Sequence, residues 1–132
     1  WSAEAGIALQ HILYTPEDAR RLLSLVGNVD MPPAMQCLFV LGSYAPARDG
    51  APEDLAPFLD ALRPILPALD WAACAFGGSE TACLVAAARS GGKVRVGFEN
   101  NLLADGGTLA ADNATRVRDV RLALSEVWEG SG

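Results

Sequence analysis

The feature that most limits the fold is an alternation repeated four times along 132 residues: a short strand-like run, then a stretch whose apolar residues recur at helical spacing. The runs are 6–14 (GIALQHILY), 36–42 (QCLFVLG), 71–76 (WAACAF) and 93–98 (KVRVGF). After the first, Thr15 is placed to cap a helix and Pro16 suits its first turn. That helix runs to about Val26, with Gly27 and Asn28 at its end. A second helix is expected over about 52–66, kinked or ended near Arg63 because it contains Pro57 and Pro64. Ser79 can cap a third helix to about Arg89, closed by Gly91-Gly92, and Asp112 a fourth to about Trp128. Apolar strands alternating with amphipathic helices give a parallel sheet covered by helices. Two architectures satisfy that pattern: a doubly wound open sheet, or part of an eight-stranded barrel. The GxGxxG turn of dinucleotide-binding sheets is absent, and Gly77-Gly78 is only a short loop. Right-handed crossovers with short connections predict sequence order for the strands, helices on one face, and runs 6–14 and 93–98 at the edges.

Length favours one domain over 1–132, and 51% apolar residues suffice for a core. The net charge of -6 argues against nucleic acid or an anionic membrane as partner, although a local basic pocket for a small anion stays open. No apolar run reaches the roughly 18 residues of a membrane span, and Glu4 with the short stretch after it does not make a signal peptide. Cys37, Cys74 and Cys83 are odd in number and include no CxxC pair, so they read as buried reduced thiols of a cytoplasmic protein. His11 is the sole histidine, and its apolar neighbours favour a packed or hydrogen-bonded ring over a ligand. Arg20, Arg21, Arg116, Arg118 and Arg121 read as solvated helix faces, and Asp105-Gly106-Gly107 as a turn. The chain opens at Trp1, without a methionine, at what reads as a cut end.

Run 93–98 carries charge where a sheet seldom tolerates it. Side chains alternate along a strand, so Arg95, Gly97 and Glu99 share one face and Val94, Val96 and Phe98 the other. Four residues at about 3.3 Å each would separate Arg95 from Glu99 by roughly 13 Å, too far for a simple ion pair. Glu99 falls at the carboxyl end of the strand, where parallel α/β folds place their chemistry. Arg95 sits lower, where burial would demand an acid or an amide partner. An arginine reaching solvent and a glutamate in a loop remain the alternative. Gly77-Gly78-Ser79 leads into a helix N-terminus, a corner able to hold a phosphate on backbone N–H groups. A tight turn with Ser79 as N-cap is the preferred reading there.

These residues carry a family resemblance. GGKVRVGFENNLLADGGTLAADNATRV resembles the closing strand and loop of the beta-keto acid cleavage enzymes, of which the 3-keto-5-aminohexanoate cleavage enzyme is the best-known type. QCLFVLGSYAPARDGAPEDL is similar to the sixth strand and its loop, DWAACAFGGSETACLVAAARSGG to the seventh strand and helix, and GIALQHILYTPEDARRLL, more weakly, to the fifth. The resemblance covers most of the chain, and VRVGFEN in its GG…DN setting is its most specific part. It implies a parallel (βα)4 unit, the C-terminal half of a TIM (β/α)8 barrel. The first four βα units, and a last segment after Gly130, would then lie outside this chain.

The resemblance further implies a reaction between a beta-keto acid and acetyl-CoA that releases acetoacetate and a new CoA thioester. A divalent metal, usually Zn2+, is held by an HxH pair early in the family's chain and by a glutamate that corresponds to Glu99. His11 does not replace the HxH pair. The family's strand arginine corresponds to Arg95, in a charged relay with an aspartate after the metal ligand and a glutamate on the fifth strand. Here those two positions are Asn100 and, by the weaker match, Gln10. An amide is no general base near neutral pH, but it can hydrogen-bond Arg95 and orient a substrate. The corner Gly77-Gly78-Ser79 would take a phosphate of CoA. Two other readings stay open: a non-catalytic half-barrel that self-associates or pairs with another half-barrel chain, and an unrelated α/β small-molecule binding module.

Overall fold

Strands β1 (Gln10–Leu13), β2 (Gln36–Leu41), β3 (Asp70–Ala75) and β4 (Lys93–Val94) form one sheet in that order, each pair parallel. Helices α1 (Pro16–Val26), α2 (Ala56–Leu62), α3 (Glu80–Arg89) and α4 (Asn113–Glu129) follow the strands in turn. A computed structural model describes residues 1, 4–26, 35–104 and 107–129. The result is a (βα)4 unit with the architecture of half a TIM barrel.

The central strands explain their own composition. Cys37, Phe39 and Leu41 of β2 and Trp71, Ala73 and Ala75 of β3 pack with Ala19 and Leu22 of α1, Phe58 and Leu62 of α2, and Cys83 and Ala87 of α3. Phe39 stacks between Phe58 and Trp71, with ring centroids 5.2 and 5.1 Å away. Leu38, Val40 and Cys74 point to the opposite face. Both faces are therefore buried in the middle of the sheet, which is why β2 and β3 read as continuous apolar runs. Helix α4 packs on α3 through Val120 and Leu124 against Leu84.

Local chemistry sets the element ends. The Thr15 hydroxyl accepts from the Asp18 N–H at 3.1 Å while the Asp18 carboxylate accepts from the Thr15 N–H at 2.9 Å, a reciprocal cap on α1. The same carboxylate takes the Tyr14 N–H at 3.1 Å, so β1 stops at Leu13. Asp112 accepts from the N–H and hydroxyl of Thr115 at 2.7 and 2.8 Å, and these bonds hold its carboxyl below the usual range. A 3-10 turn over Pro52–Leu55 feeds α2, which ends at Leu62, one residue before Arg63 and two before Pro64.

Several expected boundaries differ. The first strand begins at Gln10 rather than residue 6, because its neighbour β2 begins at Gln36, the register partner of Gln10. Ile7 and Leu9, before the first paired residue, are exposed. The last strand is two residues long instead of six. Its final ladder bond runs from the Arg95 N–H to the Ala73 carbonyl at 2.9 Å, after which the chain turns. Ser79 precedes α3 but its side chain makes no capping bond; its φ of -86° and ψ of 6° are not the extended geometry of a capping residue. Gly27, Asn28, Asp105 and Gly106 lie outside the described residues.

Candidate active site

Beyond Val94 the chain bends at Gly97, whose carbonyl accepts from the N–H groups of Asn100 at 3.0 Å and Asn101 at 3.3 Å. The Phe98 N–H donates to the Asn113 side chain at 2.9 Å, which ties the bend to the start of α4. Glu99 therefore folds back above Arg95 instead of extending away from it. The Arg95 Nη2 lies 3.2 Å from Glu99 Oε1, and the roughly 13 Å separation expected of a straight strand is replaced by an ion pair. A Cβ at Gly97 would overlap Glu99 Oε2, so a side chain there would push the carboxylate from this position.

Arg95 is the hub of the rim. Its Nη2 also donates to Asn100 Oδ1 at 3.2 Å and to the Cys74 sulfur at 3.4 Å. Its Nε is buried and has no hydrogen-bond partner among the described residues. Asn100 is buried, whereas the Arg95 and Glu99 side chains are 41% and 62% exposed. An ion pair so open to water contributes little to stability, about 0–1 kcal/mol. Its charges remain accessible to a ligand. Burial pushes the Cys74 thiol above its ordinary pKa, with Arg95 opposing that shift by charge and by its hydrogen bond.

Arg95, Glu99 and Asn100 form the polar side of a cleft of about 290 Å³. Ile12, Tyr14, Val40, Tyr44 and Phe76 form its apolar side. Val94 and Val96 point the other way, into the helix-covered core. The cleft thus lies on the open face of the sheet, at the carboxyl ends of the strands. Its aromatic lining was not anticipated from the sequence, though Ile12, Tyr14, Val40 and Phe76 share the strand parity of Arg95, which was the available signal.

Other expected site residues fall elsewhere. Gln10 stands at the amino end of β1, level with Gln36 and Asp70, and borders a small hollow there with Lys93. Arg95 follows Val94, which is level with Ala73, three residues beyond Asp70. Gln10 and the Arg95 cluster therefore sit at opposite ends of the sheet. The corner at Gly77-Gly78-Ser79 already holds an anion, since the Gly78 N–H donates to the Asp49 carboxylate at 3.2 Å. Gly77, at φ +84°, leaves room for that carboxylate, which a Cβ would strike. A CoA phosphate at this corner would have to displace Asp49.

Zinc is the metal implied by the resemblance, and the donors present test it. Glu99 fits as one ligand: it is charged, accessible and at the rim of the cleft. Among the described residues no three His, Cys, Asp or Glu side chains come together. His11 shares the parity of Leu13, on the helix-covered face. The described residues thus supply one donor where zinc sites ordinarily need three or four protein ligands.

One buried cluster overturns an expectation outright. Arg116, read as part of a solvated helix face, is 1% exposed and pairs at 2.6 Å with Glu80, which is 0% exposed. Arg116, Val120 and Leu124 recur every four residues, so the arginine shares the packed stripe of α4.

Parallel strands in sequence order, helices on one face and a polar cluster at the carboxyl rim define the class: half of a (β/α)8 barrel with a polar cleft at its rim. The sequence model of the beta-keto acid cleavage enzyme family matches residues 1–128, and the chain belongs to that family. No curated protein matches the chain significantly.

Proposed function

We infer that this chain contributes the arginine and the glutamate of a metal-dependent beta-keto acid cleavage site. Arg95, held by Glu99, Asn100 and Cys74 beside a cleft at the carboxyl rim, carries the reading. The substrates are a beta-keto acid and acetyl-CoA. The bond between C2 and C3 of the keto acid breaks and C2 gains the acetyl group, giving acetoacetate. The CoA sulfur leaves the acetyl carbon and takes the remaining acyl group as the new thioester. A proton lost from C2 is returned in the product, and no oxidant or reductant is consumed.

Arg95, which lines the cleft, binds the keto acid's carboxylate or the enolate charge that develops from it. Asn100 fixes the guanidinium by accepting one of its N–H groups. As an amide it takes no proton, so the base for C2 is a different group. Glu99 holds a zinc ion together with donors of a complementary half-barrel. The ion, when bound, supplies Lewis-acid polarisation of a carbonyl.

The test restores that complementary unit and measures zinc binding and acetoacetate formation. The isolated chain binds zinc weakly and the restored barrel tightly. Glu99→Gln in the restored barrel lowers zinc affinity by roughly 100-fold or more and stops turnover, since the change exceeds the about 10–100-fold typical of outer-shell losses. Equal zinc affinity with and without Glu99→Gln removes Glu99 as a ligand. A non-catalytic association module is the second reading, motivated by Asn100 in place of a carboxylate and by the single metal donor. A restored barrel that assembles without turnover selects it.

A further inference from the structure

The bend carrying Glu99 and Asn100 is backed by a charged pair whose side chains bond to Thr81, Asn101 and Asp119 rather than to the described cleft residues. Glu80, the first residue of α3, and Arg116, in the first turn of α4, meet at 2.6 Å in the interior. The same Glu80 oxygen, Oε2, accepts from Asn101 Nδ2 at 3.2 Å. Asn101 follows Asn100 directly, is itself buried, and its Oδ1 accepts from the Leu103 N–H at 2.9 Å. The Asn100 carbonyl in turn accepts from the Gly77 N–H at 3.2 Å, three residues before Glu80.

Stability does not account for such a pair. Burial of two charges is opposed by their lost hydration, and an apolar pair of similar size often does as well or better. This pair also leaves Glu80 Oε1 and Arg116 Nε buried and without a hydrogen-bond partner among the described residues. What an apolar contact would not supply is direction. Glu80 offers Asn101 one charged acceptor at one place, and Arg116, braced by Asp119 at 3.3 Å, fixes that acceptor.

We propose that Glu80 and Arg116 are positioning residues that set the Glu99–Asn100 bend through Asn101. The functional sense of the proposal rests on reading Glu99 and Asn100 as site residues; the mechanical claim does not.

Amide hydrogen exchange on the full chain tests it. The double variant Glu80→Met/Arg116→Met removes both charges and keeps the bulk. It should raise exchange at least tenfold over residues 97–104 while β2 and β3 stay within twofold of wild type. Unchanged exchange at 97–104 in the double variant overturns the proposal, and so does an equal rise across the whole sheet. If the double variant does not fold, Asn101→Asp decides. It keeps the acceptor that holds the Leu103 N–H and removes the Nδ2 donor, which serves both Glu80 and the Leu103 carbonyl, and wild-type exchange at 97–104 in that variant overturns the proposal. A restored barrel with no turnover removes the proposed function and leaves this measurement standing.

Discussion

Arg95 has several partners and none of them neutralises it permanently. Glu99 is exposed, Asn100 is uncharged, and the Cys74 thiol is held protonated by burial. A carboxylate at position 100 would add a charged acceptor and a possible base within reach of the guanidinium. Asn100→Asp is therefore expected to raise turnover in the restored barrel if the missing base limits the rate. An unchanged or lower kcat places the limiting step elsewhere. The thiols give a second prediction at this scale. Burial pushes Cys37 and Cys83 from 9.0 up to about 11, and all three cysteines are buried and free. An aromatic disulfide reagent at pH 9 should leave the native chain nearly unlabelled and modify three thiols per chain in urea; rapid native labelling would contradict the burial. Because the folded pKa values are raised, the unfolded chain releases its protons first. Stability should fall as pH climbs from about 9 toward 11, with linkage supplying the sign.

Among the elements, the turns after β3 and β4 decide more than the strands do. Gly77 adopts φ +84° and its missing Cβ makes space for the Asp49 carboxylate. Gly77→Ala should cost about 1–3 kcal/mol from the backbone alone, read from urea midpoints at unchanged slope. The paired variant Gly77→Ala/Asp49→Ala should recover the part that arises from the overlap. Additive effects of the two changes would show that the carboxylate does not sit where the corner places it. The bend at Gly97 shows where reading the sequence strand by strand fails. Parity put Arg95 and Glu99 on one face, and both do line one cleft. The distance failed because it assumed six extended residues, and a strand at the sheet's edge with a single neighbour leaves its ladder after Arg95. Conversely, the caps at Thr15 and Asp112 were legible, since a cap needs only residues three positions apart.

At the scale of the whole fold, β1 and β4 are edge strands with no outer neighbour among the described residues, and the face opposite the helices is left uncovered by them. Ile12, Tyr14 and Tyr44 on or beside that face are 45%, 63% and 81% exposed. An unpaired strand edge and exposed apolar side chains are both satisfied by another half-barrel. Sedimentation of the chain should therefore show concentration-dependent association, and a complementary (βα)4 unit should suppress it. A strictly monomeric profile at high concentration would argue against a face made for pairing. The same geometry gives the cleft one wall, lined from the strands and the loops that follow them. No described helix is long and apolar enough to cross a membrane.

The sequence by itself determined the four βα units, their parallel order and the face on which Arg95 lies, because period and crossover handedness are local or nearly local properties. It also carried the family, through the stretch around VRVGFEN. Only the tertiary structure decided that Glu99 returns to Arg95, that Asp49 fills the Gly77-Gly78 corner, and that Gln10 stands at the far end of the sheet. Only it revealed Arg116 as a buried partner of Glu80 across 36 positions of sequence. Contacts of that kind depend on which stripe of one helix meets which stripe of another. A sequence pattern fixes each stripe separately, but the pairing of charges between them is settled by packing in three dimensions.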